Sequence, residues 1–209
     1  MNIEAFDWNV IVVGFWNRAI LTPAGIGRRL LGLDEGTPIR VEIPMDIMSV
    51  PRVKHDDLTV YVDQQKLVIS ADKPTYADLD RARTIAVKGI KELPETPLIA
   101  TGFNFRIKIS EPPNDLLDMT EFKIDNFLSD AAFEIKERQL ARSVVWKEGV
   151  INLSIIQSEN IVVQMNFDRK SPKQSELITW LMHPIKDVKD IVKKMFENVI
   201  KVPLGEIGE

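Results

Sequence analysis

The sequence has no cysteine, and only two histidines and two tyrosines among its 209 residues. Without thiols there can be no disulfide framework, no thiolate metal site and no cysteine nucleophile, and the absence fits a reducing, cytoplasmic setting. One histidine, His55, stands ahead of a strand and the other, His183, lies inside "TWLMHPIKD". From these two neither an HExxH metal motif nor a Ser-His-Asp triad can be assembled. Charge of one sign is lacking too. A formal net charge of −4 favours solubility and gives no electrostatic reason to seek polyanions. Long hydrophobic runs are missing as well. The opening "MNIEAFDWNVIVVGFW" carries Glu4 and Asp7 where a signal peptide needs positive charge, and its apolar run is short, so it reads as neither a leader nor a membrane span.

What is present is ordinary globular material, 44% hydrophobic and 28% charged, enough for a single domain over residues 1–209. Residues 9 to 18 form a largely apolar, β-branched run that predicts a strand. In "LTPAGIGRRLLG", Thr22 is placed as an N-cap, Pro23 at the first helical position and Gly32 at the end of a short helix. "IRVEI", "LTVYVD" and "KLVISA" alternate as strands, with a tight connection at Gln64 and Gln65. Apolar positions at Tyr76, Leu79, Ala82, Ala86, Ile90 and Leu93 have helical spacing.

From about residue 98 the order repeats. "LIATGFNFRIKI" reads as a strand and "NDLLDMTEFKIDNFLSDAAF" as one short helix or two. "ARSVVWKEG", "VINLSIIQ" and "NIVVQMNF" read as strands, and an amphipathic helical stretch from Ser175 to Lys201 follows, with His183-Pro184 marking a break in it. The predicted class is α+β: a β-α-β-β-β-α unit occurring twice, over about 8–97 and 98–201, as an internal duplication. An overlay of "VVGFWNR" on "ATGFNFR" sets Gly14 on Gly102, Phe15 on Phe103 and Arg18 on Arg106. This order of elements resembles the TATA-binding-protein-like fold, which implies a curved antiparallel sheet with helices on one side. The resemblance lies in element order alone, so it carries over no functional residue. The opening segments also resemble those of bacterial proteins of about this size, a likeness that implies no activity.

Period-two alternation then assigns the faces. Ile11, Val13 and Phe15, with Ile99, Thr101, Phe103, Phe105, Ile107 and Ile109, are expected beneath the helices. Trp16 and Arg18, with Asn104, Arg106 and Lys108, are expected on the other face, continued by Arg40, Tyr61, Asn152, Ser154, Gln164 and Asn166. One face is thereby left for solvent or a partner. The partner-binding candidates are Trp16 as an aromatic anchor, with Arg18, Arg40, Tyr61, Asn104, Arg106 and Lys108 around it.

No catalytic residue, metal ligand or cofactor is expected. "GIGRR" lacks a phosphate-loop pattern, and the carboxylate pairs Asp56-Asp57 and Asp78-Asp80 read as a turn and a solvated helix face. The expected function is that of a non-enzymatic module that binds a protein partner, or a second copy of itself, through the open sheet face or the helix surface. The alternative is nucleic-acid binding by the curved sheet, suggested by Arg18, Arg40, Arg106, Lys108 and Arg142 and opposed by the acidic charge balance.

Overall fold

The structure, a computed structural model, describes residues 1–45 and 50–209. The first strand, β1 (Asn2–Gly14), ends at a loop that leads into a short helix, α1 (Pro23–Gly25), continued by a π-helical turn (Ile26–Leu31). Thr22 caps α1 by accepting a hydrogen bond from the Gly25 amide. Gly32, in the left-handed region at φ 74°, stops the turn that follows. Next come β2 (Arg40–Glu42), β3 (Arg52–His55), β4 (Leu58–Val62) and β5 (Lys66–Ala71), then α2 (Tyr76–Glu92). At the start of α2 the Thr75 hydroxyl accepts from the Asp78 amide and donates to the Asp78 carboxylate. The remainder is β6 (Leu98–Ser110), α3 (Asn114–Asp118), α4 (Lys123–Asp130), β7 (Arg138–Trp146), β8 (Gly149–Gln157), β9 (Ile161–Lys170), α5 (Gln174–Leu181) and α6 (Ile185–Lys194), with a closing π-helical turn (Met195–Ile200). Pro184 separates α5 from α6, since it supplies no amide hydrogen to continue the first helix.

Among the described residues, all nine strands join one antiparallel sheet in the order β2-β3-β4-β5-β1-β6-β9-β8-β7. The fold is therefore α+β. One face carries Trp8, Val10 and Val12 from β1, Phe103, Phe105, Ile107 and Ile109 from β6, and Val163, Met165 and Phe167 from β9. These side chains join Leu79, Ala82, Ala86 and Ile90 of α2, Leu177 and Trp180 of α5, and Val188 and Val192 of α6 in a single hydrophobic cluster. An aromatic file, Tyr76–Trp8–Phe105–Phe167–Trp146–Trp180, runs through it with successive ring centroids 4.8 to 5.5 Å apart. Among the described residues no helix is long and apolar enough to cross a membrane.

Three expectations are corrected. The first half has four strands after its helix rather than three. The extra one is β3, whose sequence "RVKH" has a single apolar member and becomes a strand by pairing with β2 and β4. The face assignment of β1 is inverted: Trp8, Val10 and Val12 are buried beneath the helices, and Phe15, 62% exposed, lies beyond the end of the strand. The cause is a bulge. Phe6 pairs with Arg106 but Asn9 with Asn104, so that Asp7 and Trp8 together oppose Phe105. Asp7 takes the left-handed backbone conformation (φ 48°), which aspartate tolerates better than most residues.

Finally, the overlay of "VVGFWNR" on "ATGFNFR" does not describe matched positions. Gly14 ends β1, whereas Gly102 lies inside β6. The two glycines share only a need for space: a Cβ at Gly14 would meet the Pro97 carbonyl oxygen at 2.7 Å, and one at Gly102 the Phe167 carbonyl oxygen at 2.3 Å.

Candidate functional site: the open face of the sheet

The sheet face turned away from the helices carries the second set of alternating residues, and register places them in rows across the strands. One row runs through every strand: Arg40 beside Lys54, then Thr59, Ser70, Asn9, Asn104, Asn166, Asn152 and Ser143. Its right half is a chain of side-chain hydrogen bonds. The Ser143 hydroxyl donates to Asn152 (2.6 Å), Asn152 to Asn166 (3.0 Å), Asn166 to Asn104 (2.7 Å) and Asn104 to Asn9 (2.8 Å). The Asn9 amide nitrogen donates to the Asp7 carboxylate at 3.0 Å.

That last bond fixes the direction of all the others. An ionised carboxylate can only accept, so Asn9 must turn its NH₂ toward Asp7 and its oxygen toward Asn104. The same requirement passes from amide to amide as far as the Ser143 hydroxyl. A chain in which every dipole points the same way and ends on an anion is strengthened by mutual polarisation. Each asparagine uses one donor and one acceptor in the chain, so a second amide hydrogen and a second lone pair remain on each of Asn104, Asn166 and Asn152. These three are half-buried, held in place and still reachable, while Asn9 is buried.

Asp7 therefore has two tasks, for its other oxygen takes a 2.5 Å ion pair from Arg106. Arg106, Asn104, Asn152, Ser154, Gln164 and Asn166 line a shallow concavity of about 300 Å³ on this face. Asp168 projects beside it, next to the row, and partial burial raises its pKa against the opposing effect of Lys170. At the other side of the sheet the cations are paired: Lys54 bridges Glu42 (3.2 Å) and Asp72 (3.7 Å), and Arg40 pairs with Glu42 (3.3 Å). The Arg52 guanidinium sits over the Tyr61 ring, 5.6 Å from its centroid, and burial raises the Tyr61 phenol pKa.

Of the candidates read from the sequence, Arg40, Tyr61, Asn104, Arg106 and Lys108 lie on this face by register. Trp16 and Arg18 do not. Trp16 is 4% exposed beside α2, its indole N–H donating to the Val12 carbonyl oxygen at 3.0 Å. Arg18 is exposed in the loop after β1, by Pro23 and Pro51. Arg142 pairs with the core-facing Leu153 and so belongs to the helix side of β7. The sequence reading passed over Asn9, and the asparagines at alternating strand positions were its one available signal.

Two other polar groupings are built into the fold. His183 bonds Lys147 and Glu148 (3.1 Å each) and Lys147 bonds Asp187 (2.7 Å), which ties the β7–β8 turn to the break between α5 and α6. The His183 hydrogen bond lowers the Glu148 pKa, and the Lys147 hydrogen bond lowers that of Asp187. Nearby, Arg169, Lys173 and Ser171 converge on Glu176 and hold its carboxyl at about 2. Among the described residues no group of three or more His, Asp or Glu is arranged to hold a metal ion.

Comparison of the chain with protein-family models, with curated proteins and with solved structures finds no match in any of the three.

Proposed function

We propose that the protein is a non-enzymatic interaction module that binds a protein partner across the open sheet face. The observation that carries this reading is the amide chain Asn9–Asn104–Asn166–Asn152–Ser143. Asparagine is depleted in strands because it packs poorly on a pleated surface and competes for backbone hydrogen bonds. Four of them in one row break a local rule, and such breaks are expected where a surface serves recognition. The row offers neutral, pre-oriented donors and acceptors, which match the peptide groups and polar side chains of a protein surface. Phosphates would need free cations. Arg106, Lys54 and Arg40 each face a carboxylate already, which leaves few counterions to release on binding a polyanion.

Internal duplication is part of the same reading, in a register other than the one suggested by the glycines. An overlay of Trp8 on Phe103, Val10 on Phe105 and Val12 on Ile107 matches buried residues with buried residues, and it sets Asn9 on Asn104. Those two asparagines are direct cross-strand partners, so a local twofold axis would pass between them. The strand order on either side of the β1–β6 seam supports this, with β5, β4 and β3 answering to β9, β8 and β7. The likeness of element order to the TATA-binding-protein-like fold, and a cytoplasmic setting, belong to this proposal too.

Asn104→Leu and Asn166→Leu remove the centre of the row without adding charge. Proteins captured from a cell extract by the wild type and lost with both variants, while thermal melting is retained, would support the reading. Equal capture by all three forms would end it. Labelled single-stranded and duplex DNA and RNA, titrated at low and high salt, test the alternative. Salt-sensitive binding at micromolar protein that Asn104→Leu abolishes would replace the protein partner with a nucleic acid.

A further inference from the structure

The two edges of the sheet are unlike each other. The edge strand β2 is three residues long and its Arg40 and Glu42 are ion-paired, both of which discourage pairing with another strand. At the opposite edge β7 is nine residues long, contains no proline, and pairs with β8 from Arg138 to Trp146 without a bulge. Seven of its residues are uncharged and all are exposed or half-exposed, and its outward backbone groups have no strand beside them among the described residues. On the helix side of β7, Leu140 and Trp146 reach the core, but Arg142 and Val144 (38% exposed) are covered by no element.

The segment before β7 presents the opposite surplus. α4 has no buried residue, and Ile124 (59% exposed), Phe127 (70%) and Phe133 (65%) turn apolar side chains to solvent. The segment lies on the helix side of the sheet, because Asp125 pairs at 2.7 Å with Arg138, at the start of β7. Charge is complementary. Residues 121–137 hold five carboxylates against two lysines, whereas Arg142 has no ion pair among the described residues and donates only to the Ala141 carbonyl.

We infer that a second copy of the chain covers this edge, β7 pairing antiparallel with β7 of its partner about a twofold axis. Antiparallel pairing brings the Arg138 end of one strand to the Val144 end of the other. The apolar side of α4 in each copy then covers the bare Val144 of its partner, and the acidic segment around α4 approaches the partner's Arg142. A buried aromatic side chain removes ~150–250 Å² from water, so the exposed phenylalanines and the strand edge together approach the ~800 Å² per partner of a stable interface. The surface lies at the sheet's edge and meets the amide row only at its terminal Ser143, so it does not depend on the function proposed for that row.

Sedimentation equilibrium of the full chain between about 1 and 100 µM, a range that brackets micromolar association, reads the oligomeric state. A dimer is expected, with Phe127→Asp and Arg142→Glu each raising its dissociation constant at least about tenfold, as loss of an interface anchor does. Both residues are exposed in the single chain, so thermal melting of the dilute variants checks that each still folds. A monomer over the whole range overturns the inference, and so does a dimer that either substitution leaves intact.

Discussion

Two phenylalanines that look alike in the sequence have opposite environments. Phe103 is fully buried on the core face of β6, whereas Phe15 is 62% exposed past the end of β1. Phe103→Ala leaves a cavity between the sheet and the helices and is expected to cost about 3–5 kcal/mol in denaturant unfolding. Phe15→Ala is expected to stay within about 0.5 kcal/mol of the wild type, as for other exposed sites. Equal losses at the two positions would mean that β1 keeps the face first read from its sequence. A second single-residue effect concerns acid. Hydrogen bonds from Arg169, Lys173 and Ser171 lower the Glu176 pKa from 4.5 to about 2. A carboxyl whose folded pKa is depressed stabilises the fold above its unfolded pKa, and that contribution is lost as pH falls toward the folded value. Glu176→Gln should therefore lower the urea midpoint at pH about 6 and lower it much less at pH about 2, well below the unfolded pKa, where most of the carboxylate's contribution has been lost. An undiminished difference between the two chains at low pH would show that the carboxylate is not what stabilises this corner.

At the scale of elements, what could be read in advance depended on whether the two faces of a strand differ in polarity. In β6, β8 and β9 polar residues alternate with aliphatic and aromatic ones, as at Asn104 and Arg106 or Gln164 and Asn166, so the buried set declares itself. In β1 the run Val10–Val13 is apolar on both faces, and the bulge at Asp7 moves its register against β6, so period alone cannot choose between the sets. β3 escaped notice for the opposite reason: it has one buried residue, Val53, and owes its strand form to neighbours distant in sequence. The α5–α6 break was legible because proline acts locally. The amide row was not, because it is a property of cross-strand register. Its four asparagines are separated in sequence by up to 157 positions and meet only when β1, β6, β9 and β8 are in place.

Across the whole molecule the two halves are locked together by more than the seam between β1 and β6. Gln174, at the start of α5, donates to the carbonyl oxygens of Pro94 and Thr96, and Arg83 of α2 donates to those of Leu181 and His183 at the end of α5. The C-terminal tail returns to the first half: the Gly208 carbonyl accepts from the Tyr76 amide, and the tail lies over Trp8 and Tyr76. The hydrophobic cluster is correspondingly one body, with Trp8 against Phe105 at its middle. A half expressed alone would expose the inner edge of its own central strand together with Trp8 or Phe105, and would surrender the aromatic contacts that bridge the seam. Even if each half descends from a self-sufficient ancestor, this division of the core makes them interdependent. Residues 1–97 and 98–209 produced separately are expected to melt without a cooperative transition by circular dichroism, while the full chain melts in a single one. A sharp transition in either half by itself would contradict the shared core, and it would place the stabilising contacts within the halves rather than between them.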